Sequence, residues 1–396
     1  MNPTLSASPT MALIANPYIA YRRLQAIPFP IWLANPGATG GAWLFSRYDD
    51  VVAILKEARV SKDISRIVPA ERVTPVNHAM LSKDPPDHTR LRALVSLAFT
   101  PARIHAMEPR IARVADELLD QLRQRRQADF ITDFALPLPV IIIAEMLGVP
   151  LTDRDRFRDL SNQVIMGGDA NQPGRDISSG SQRAIEALAD YFSGLIAERR
   201  KNPRADLISD LIAVRDDANR LSETELVGTC ILLLIAGHET SANMLGNGML
   251  TLLRFPEQWD LLKRQPEHLP GAVEEILRYE SPLQQATFRV AAENFSLGGA
   301  EIQQGQQITA LLGAANRDPI HFPNPDFFDI TRQPNRHIAF GVGIHFCLGS
   351  VLARVEGRIG FGKVVEKLPN LQLASETPNW NPNSCLRGLA SLPVTL

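Results

Sequence analysis

The chain has 396 residues, 45% of them hydrophobic, and its 41 Lys plus Arg nearly balance 43 Asp plus Glu, for a formal net charge of −2. That balance argues against a nucleic-acid partner or an anionic membrane surface, and the apolar content suits a large buried core. Three cysteines, Cys230, Cys347 and Cys385, are too few and too scattered for a disulfide framework or a thiolate zinc site, which points to a reducing, cytoplasmic setting.

Residues 1–10 read as a flexible start, polar and small, without the basic and apolar regions of a signal peptide. From 11 to 396 no repeat, low-complexity tract or linker divides the chain, so one domain is expected. Trp43–Ser46 has strand character. Asp84 to Arg92 opens a helix with His88 and Arg92 four apart on one face and Arg90 turned elsewhere. Arg103 to Arg126 carries Ile111, Val114, Leu118, Leu119 and Leu122 near a 3.6-residue period, which predicts one amphipathic helix. Gly167-Gly168 and Asn171-Gln172-Pro173-Gly174 suggest a mobile lid, and Ala184–Arg200 predicts another helix ending in basic residues.

Ser222-Glu223-Thr224-Glu225 has the form of a capping box. The pattern then runs without proline to Arg254, about 32 residues or ~48 Å of helix. Its first half is apolar on all sides, which predicts a core helix. Charged His238-Glu239 interrupts that run well short of the ~20 apolar residues a bilayer span needs. Mid-helix stands Ala236-Gly237-His238-Glu239-Thr240-Ser241. Gly237 costs the helix ~1 kcal/mol relative to alanine, so a local opening for a small ligand is expected there. Thr240 either serves that ligand or simply back-bonds to its own helix. Further on, Glu275 and Arg278 lie three apart on one helical face. Strand-like pieces follow from Thr287 through Phe295–Leu297 to Ile302 and Ile308. The fold class expected is therefore mainly α, with a small β-rich subdomain built from both strand regions.

Phe340 to Gly349 reads F-G-V-G-I-H-F-C-L-G. Glycines at 341, 343 and 349 let backbone approach a flat ligand, and a lone thiolate in such a loop reads either as an axial haem ligand or as an inert buried thiol.

Taken together these motifs resemble the cytochrome P450 family. The loop matches F-x-x-G-x-H-x-C-x-G at Phe340, Gly343, His345, Cys347 and Gly349, and the helix matches A-G-x-[DE]-T-[TS] in full. The resemblance spans about residue 10 to the C-terminus. It implies an α-helical prism with minor sheets and haem b beside the long central helix, bound through the thiolate of Cys347. It also implies cofactor contacts at Ala236, Gly237, Phe340, His345 and Gly349, and carboxylate-binding roles for His88, Arg92, Arg289 and His345. Glu239 and Thr240 become the acid–alcohol pair that handles protons during dioxygen activation. Glu275 and Arg278 become a buried ion pair; where the family has its third partner this chain offers Phe327, and Arg332 and His337 are the substitute candidates.

The resemblance further implies a soluble bacterial-type monooxygenase, expected as a monomer, that hydroxylates or epoxidises a lipophilic substrate such as a polyketide or terpenoid. A fatty-acid hydroxylase is the alternative within that class. A peroxide-driven hydroxylase or a haem-thiolate sensor would need no acid–alcohol pair. No dinucleotide fingerprint or second cysteine cluster is present, so electrons should come from a ferredoxin or flavodoxin served by an NAD(P)H-dependent reductase. Arg103, Arg110, Arg354 and Arg358 are the expected docking cations. Segments 63–81, 164–178, 233–236, 283–287 and 384–386 are expected to line the substrate pocket, with Arg66 and Arg72 available to a carboxylate.

Overall fold

Ser222 starts the longest helix in the way its sequence predicts. Its hydroxyl accepts from the Glu225 N–H at 3.3 Å while the Glu225 carboxylate accepts from the Ser222 N–H at 2.8 Å. The computed structural model describes residues 14–34, 40–66, 73–167, 179–213 and 221–396. The expected flexible start, Arg72 and most of the expected lid lie outside them.

The helices that build the site are α1 (Asp87–Ala98), α2 (Pro101–Ala106), α3 (Glu108–Leu122), α4 (Pro137–Leu147), α5 (Ser179–Lys201), α6 (Glu223–Arg254), α7 (Leu269–Tyr279) and α8 (Ser350–Lys367). Helix α6 runs through the middle, packed by α4, α5, α7 and α8. Its apolar first half is buried as expected, Leu226 to Leu234 without exception. The helix predicted over Arg103–Arg126 is in fact two. Pro109 cannot donate to a preceding turn, so α2 ends at Ala106 and α3 begins afresh, burying Ile111, Val114, Ala115, Leu119 and Leu122. Helix α5 starts earlier than its period suggests.

Five strands form the main sheet: β1 (Ile31–Ala34), β2 (Gly41–Phe45), β3 (Val60–Ser61), β4 (Val290–Ala291) and β5 (Gln307–Ala310), in the order β1-β2-β5-β4-β3. The sheet thus joins the two strand regions read from the sequence. Strands β3 and β4 are antiparallel, with Ser61 opposite Val290. Smaller sheets that the sequence reading missed pair Gln127–Asp129 and Gln372–Leu373 with Pro393–Thr395, and Asn379–Trp380 with Leu389–Ser391. Strands of two or three residues are too short to show a period. Among the described residues, no helix is long and apolar enough to cross a membrane.

Candidate active site

Glu275 and Arg278 anchor the frame. Both are fully buried on α7, and the guanidinium meets the carboxylate with two hydrogen bonds of 2.7 and 2.8 Å. Arg332 supplies the third member, its Nε 3.1 Å from Glu275 Oε1. Phe327, at the position where an arginine was sought, contributes its backbone instead: its carbonyl accepts from both Arg278 and Arg332. His337, the other candidate, turns to Glu274 at 2.9 Å, and Arg354 forks onto the same carboxylate at 2.7 and 3.0 Å. Burial would raise the Glu274 pKa, but His337 and Arg354 outweigh it and hold the group down to about 2.

These two clusters brace the segment that leads into the cysteine loop. Gly341 and Gly343 take φ of +70° and +78°, a region that residues with a Cβ seldom enter. The reversal lets the Cys347 N–H donate to the Phe340 carbonyl at 3.0 Å. Phe340 lies under the Arg354 guanidinium, 4.5 Å from its ring centre. Cys347 precedes the first turn of α8, where the Gly349 N–H and the helix dipole favour a thiolate. Burial nevertheless pushes the thiol pKa up. Its surface is accessible although many atoms surround it, which leaves the sulfur open to a ligand. A Cβ on Gly349 would stand 4.0 Å from the Cys347 sulfur, an ordinary contact distance.

A matching open turn interrupts the buried length of α6. Ala236 is exposed, and Ile235, Gly237, Glu239 and Thr240 are partly so. The helix is continuous through this turn, with Gly237 in it. Its missing side chain is explained by α4, because a Cβ would meet Ile143 at 2.9 Å. The Thr240 hydroxyl donates to the Ala236 carbonyl at 3.1 Å, the back-bonding expected of a threonine at mid-helix. Burial raises the Glu239 pKa, opposed by the Asn243 amide at 3.4 Å. Behind this turn Glu356 of α8 is wholly buried, and both its oxygens lack a well-formed hydrogen bond, with the Ser241 hydroxyl close enough only to ease the charge. Its pKa is pushed up to about 8 by burial.

The structure also gathers the predicted cations. His88 and His345 lie with ring centres 4.2 Å apart. Both ring nitrogens of buried His88 lack a partner. Arg92 donates to the Phe346 carbonyl at 2.7 Å, and buried Arg289 to the Thr287 carbonyl at 2.6 Å. Burial, then the neighbouring positive charges, depress the His345 pKa to about 2, and burial lowers that of Arg289 to about 10. Lys62, only 4% exposed, joins the same cluster and was not singled out in the sequence. Arg90 points away, as helical geometry required, and pairs with Glu225.

Buried cations without carboxylate partners call for an anionic ligand. An accessible cysteine, an open helical turn and this cluster together suit a flat group with two carboxylates.

The chain matches the Cytochrome P450 family model over residues 11–384. This protein is a cytochrome P450 monooxygenase. It is 42% identical to the polyketide biosynthesis cytochrome P450 PksS of Bacillus subtilis, over 91% of this chain and 90% of the relative. The structure of myxobacterial CYP267B1 in complex with myristic acid superposes with a TM-score of 0.91 at 41% identity, covering 98% of this chain and 99% of that one. P450BioI, solved with an acyl carrier protein bearing hexadec-9Z-enoic acid, gives 0.90 at 40% identity, covering 98% and 100%. Membership carries the family's haem-thiolate cofactor, and the cluster above fits it.

On the substrate side, 283–287 and 384–386 do meet in this P450. Leu283 bridges Leu386, and the Gln284 N–H donates to the Cys385 carbonyl at 2.7 Å. Pro75–His78 rests on α6 at Gly228, where a Cβ would clash with the Pro75 carbonyl at 2.1 Å. Arg66 lies 3.8 Å from Asp84. The expected docking cations are already engaged: Arg103 with Asp210, Arg110 with Glu145, Arg354 with Glu274 and Arg358 with Glu108. All four remain partly exposed within these pairs.

Proposed function

We propose that this P450 oxidises a lipophilic tailoring substrate, a polyketide before a fatty acid, by hydroxylation or epoxidation. The observation that carries the reading is the open turn at Ala236–Thr240, set among apolar and small side chains and bordered by an intact acid–alcohol pair. The 42% identity to a polyketide biosynthesis P450 supports the order of preference.

Haem bound through a thiolate supplies dioxygen activation. The residues here divide the remaining work. Cys347 offers the sulfur, its backbone N–H fixed by the Phe340 carbonyl. His88, Arg92, Arg289 and His345 would hold the haem carboxylates, while the exposed turn at Ala236 and Gly237 would border the haem. Glu239, whose carboxyl pKa burial raises against the opposing Asn243 amide, stands one residue from Thr240, where it can take up and pass on a proton. Thr240 presents a hydroxyl at the open turn that can donate in place of its back-bond. This pair sets the protein apart from a sensor, which has no use for it. Electrons come from a separate ferredoxin or flavodoxin served by an NAD(P)H-dependent reductase.

The test is a titration of the ferric protein with a macrolactone and with a long-chain fatty acid, followed by the Soret band. A high-spin shift with the macrolactone supports the polyketide reading. A shift with the fatty acid alone replaces it with chain hydroxylation.

A further inference from the structure

The antiparallel ladder between β3 and β4 pairs Val60 with Ala291 and Ser61 with Val290. The next residue on each strand is Lys62 and Arg289. Residues at such opposed positions share a face, and like charges there repel. Both are nevertheless buried, at 4% and 6% exposure, and both lean on Thr287: the Lys62 ammonium donates to its hydroxyl and Arg289 to its carbonyl. Neither makes an ion pair among the described residues. Asp84, whose charge favours the Lys62 ammonium, is occupied elsewhere, accepting from the Lys62 N–H at 2.8 Å and from the Ser61 hydroxyl. Two buried cations sharing one threonine, with no direct ion pair and chiefly Asp84 to favour the Lys62 charge, form a costly arrangement that an anion would relieve.

We propose that Lys62 is a further cation of the haem carboxylate pocket, positioned by Thr287 beside Arg289. The inference rests on the site assignment above. A neutral alternative, in which Lys62 merely fills space under Thr287, makes different predictions. Burial, then the Arg289 charge, oppose a free ammonium more than Asp84 favours it, so an arriving anion would relieve the Lys62 charge. The pocket then contains a cation from each side of the β3–β4 ladder as well as the α1 and cysteine-loop groups.

The experiment compares holoprotein carrying Lys62→Met, Lys62→Arg and Thr287→Val with the native chain. Haem release to excess apomyoglobin and the ferric–ferrous midpoint potential are measured without substrate. Lys62→Met should lose haem about tenfold faster, equivalent to about 1.4 kcal/mol. Its potential should move negative, because a positive charge that favours the reduced state is gone. Lys62→Arg should restore both, and Thr287→Val should fall between. If the methionine protein does not fold, Lys62→Gln serves the same comparison. Haem retention and potential both unchanged in the neutral variant would overturn the proposal. A native chain that takes up no haem would instead overturn the site assignment.

Discussion

Glu275 Oε1 accepts from Arg332 Nε at 3.1 Å across 57 residues of sequence, completing a buried cluster in which the backbone carbonyl of Phe327 also takes part. The substitution of a carbonyl and a displaced arginine for one expected side chain preserves the charge balance around α7. Arg332→Met should therefore destabilise the protein by about 1.5–3 kcal/mol, since a charged hydrogen-bond partner is removed while Arg278 still covers Glu275. Urea unfolding of the variant checks it, with Arg332→Lys expected to recover part of the loss.

Cys347→Ser replaces the sulfur while leaving the loop hydrogen bonds intact. The ferrous–CO complex should lose the red-shifted Soret band of thiolate ligation, and product formation should stop. A variant that kept that band would remove Cys347 from the site.

Thr240→Ala should bind haem and substrate as the native protein does. Its product yield per NAD(P)H consumed should fall about tenfold or more, with hydrogen peroxide accounting for the missing electrons. Full coupling in the alanine variant would restrict Thr240 to its back-bond with Ala236.

Glu356 gives a pH prediction. Its folded pKa is raised by burial from 4.5 to about 8, so between those values the folded state retains a proton that the unfolded state has lost. Stability then falls as pH rises through this window, by up to about 5 kcal/mol, and levels off above pH 8. Glu356→Gln should remove that slope. Relative to native, the glutamine variant should gain stability from pH 5 to pH 8 in urea titrations.

Gly388→Ala tests the support of Glu239. A Cβ there would meet the Asn243 amide oxygen at 1.8 Å, and Asn243 steadies the Glu239 carboxyl. The variant should lose about 1–3 kcal/mol from overpacking. It should also show poorer coupling, read as peroxide formed per turnover.

Local signals made much of this protein legible in its sequence. The capping box at Ser222, the unbroken apolar length of α6, the glycine spacing around Cys347 and the acid–alcohol pair all depend on neighbours within a few residues, where helical and turn geometry act directly. The same locality explains the error at Arg103–Arg126: the apolar period continued across Pro109, but its missing N–H ended one helix and began another.

Only the tertiary structure decided the rest. Lys62 acquires its importance because β3 pairs with β4, more than 200 residues later, and Arg332 because the loop after Phe327 folds back onto α7. Gly237 owes its missing side chain to Ile143 across a helix interface. Burial turns these contacts into chemistry, since a lysine or carboxylate that water would leave unremarkable becomes a strained charge once neighbours from distant parts of the chain exclude the solvent.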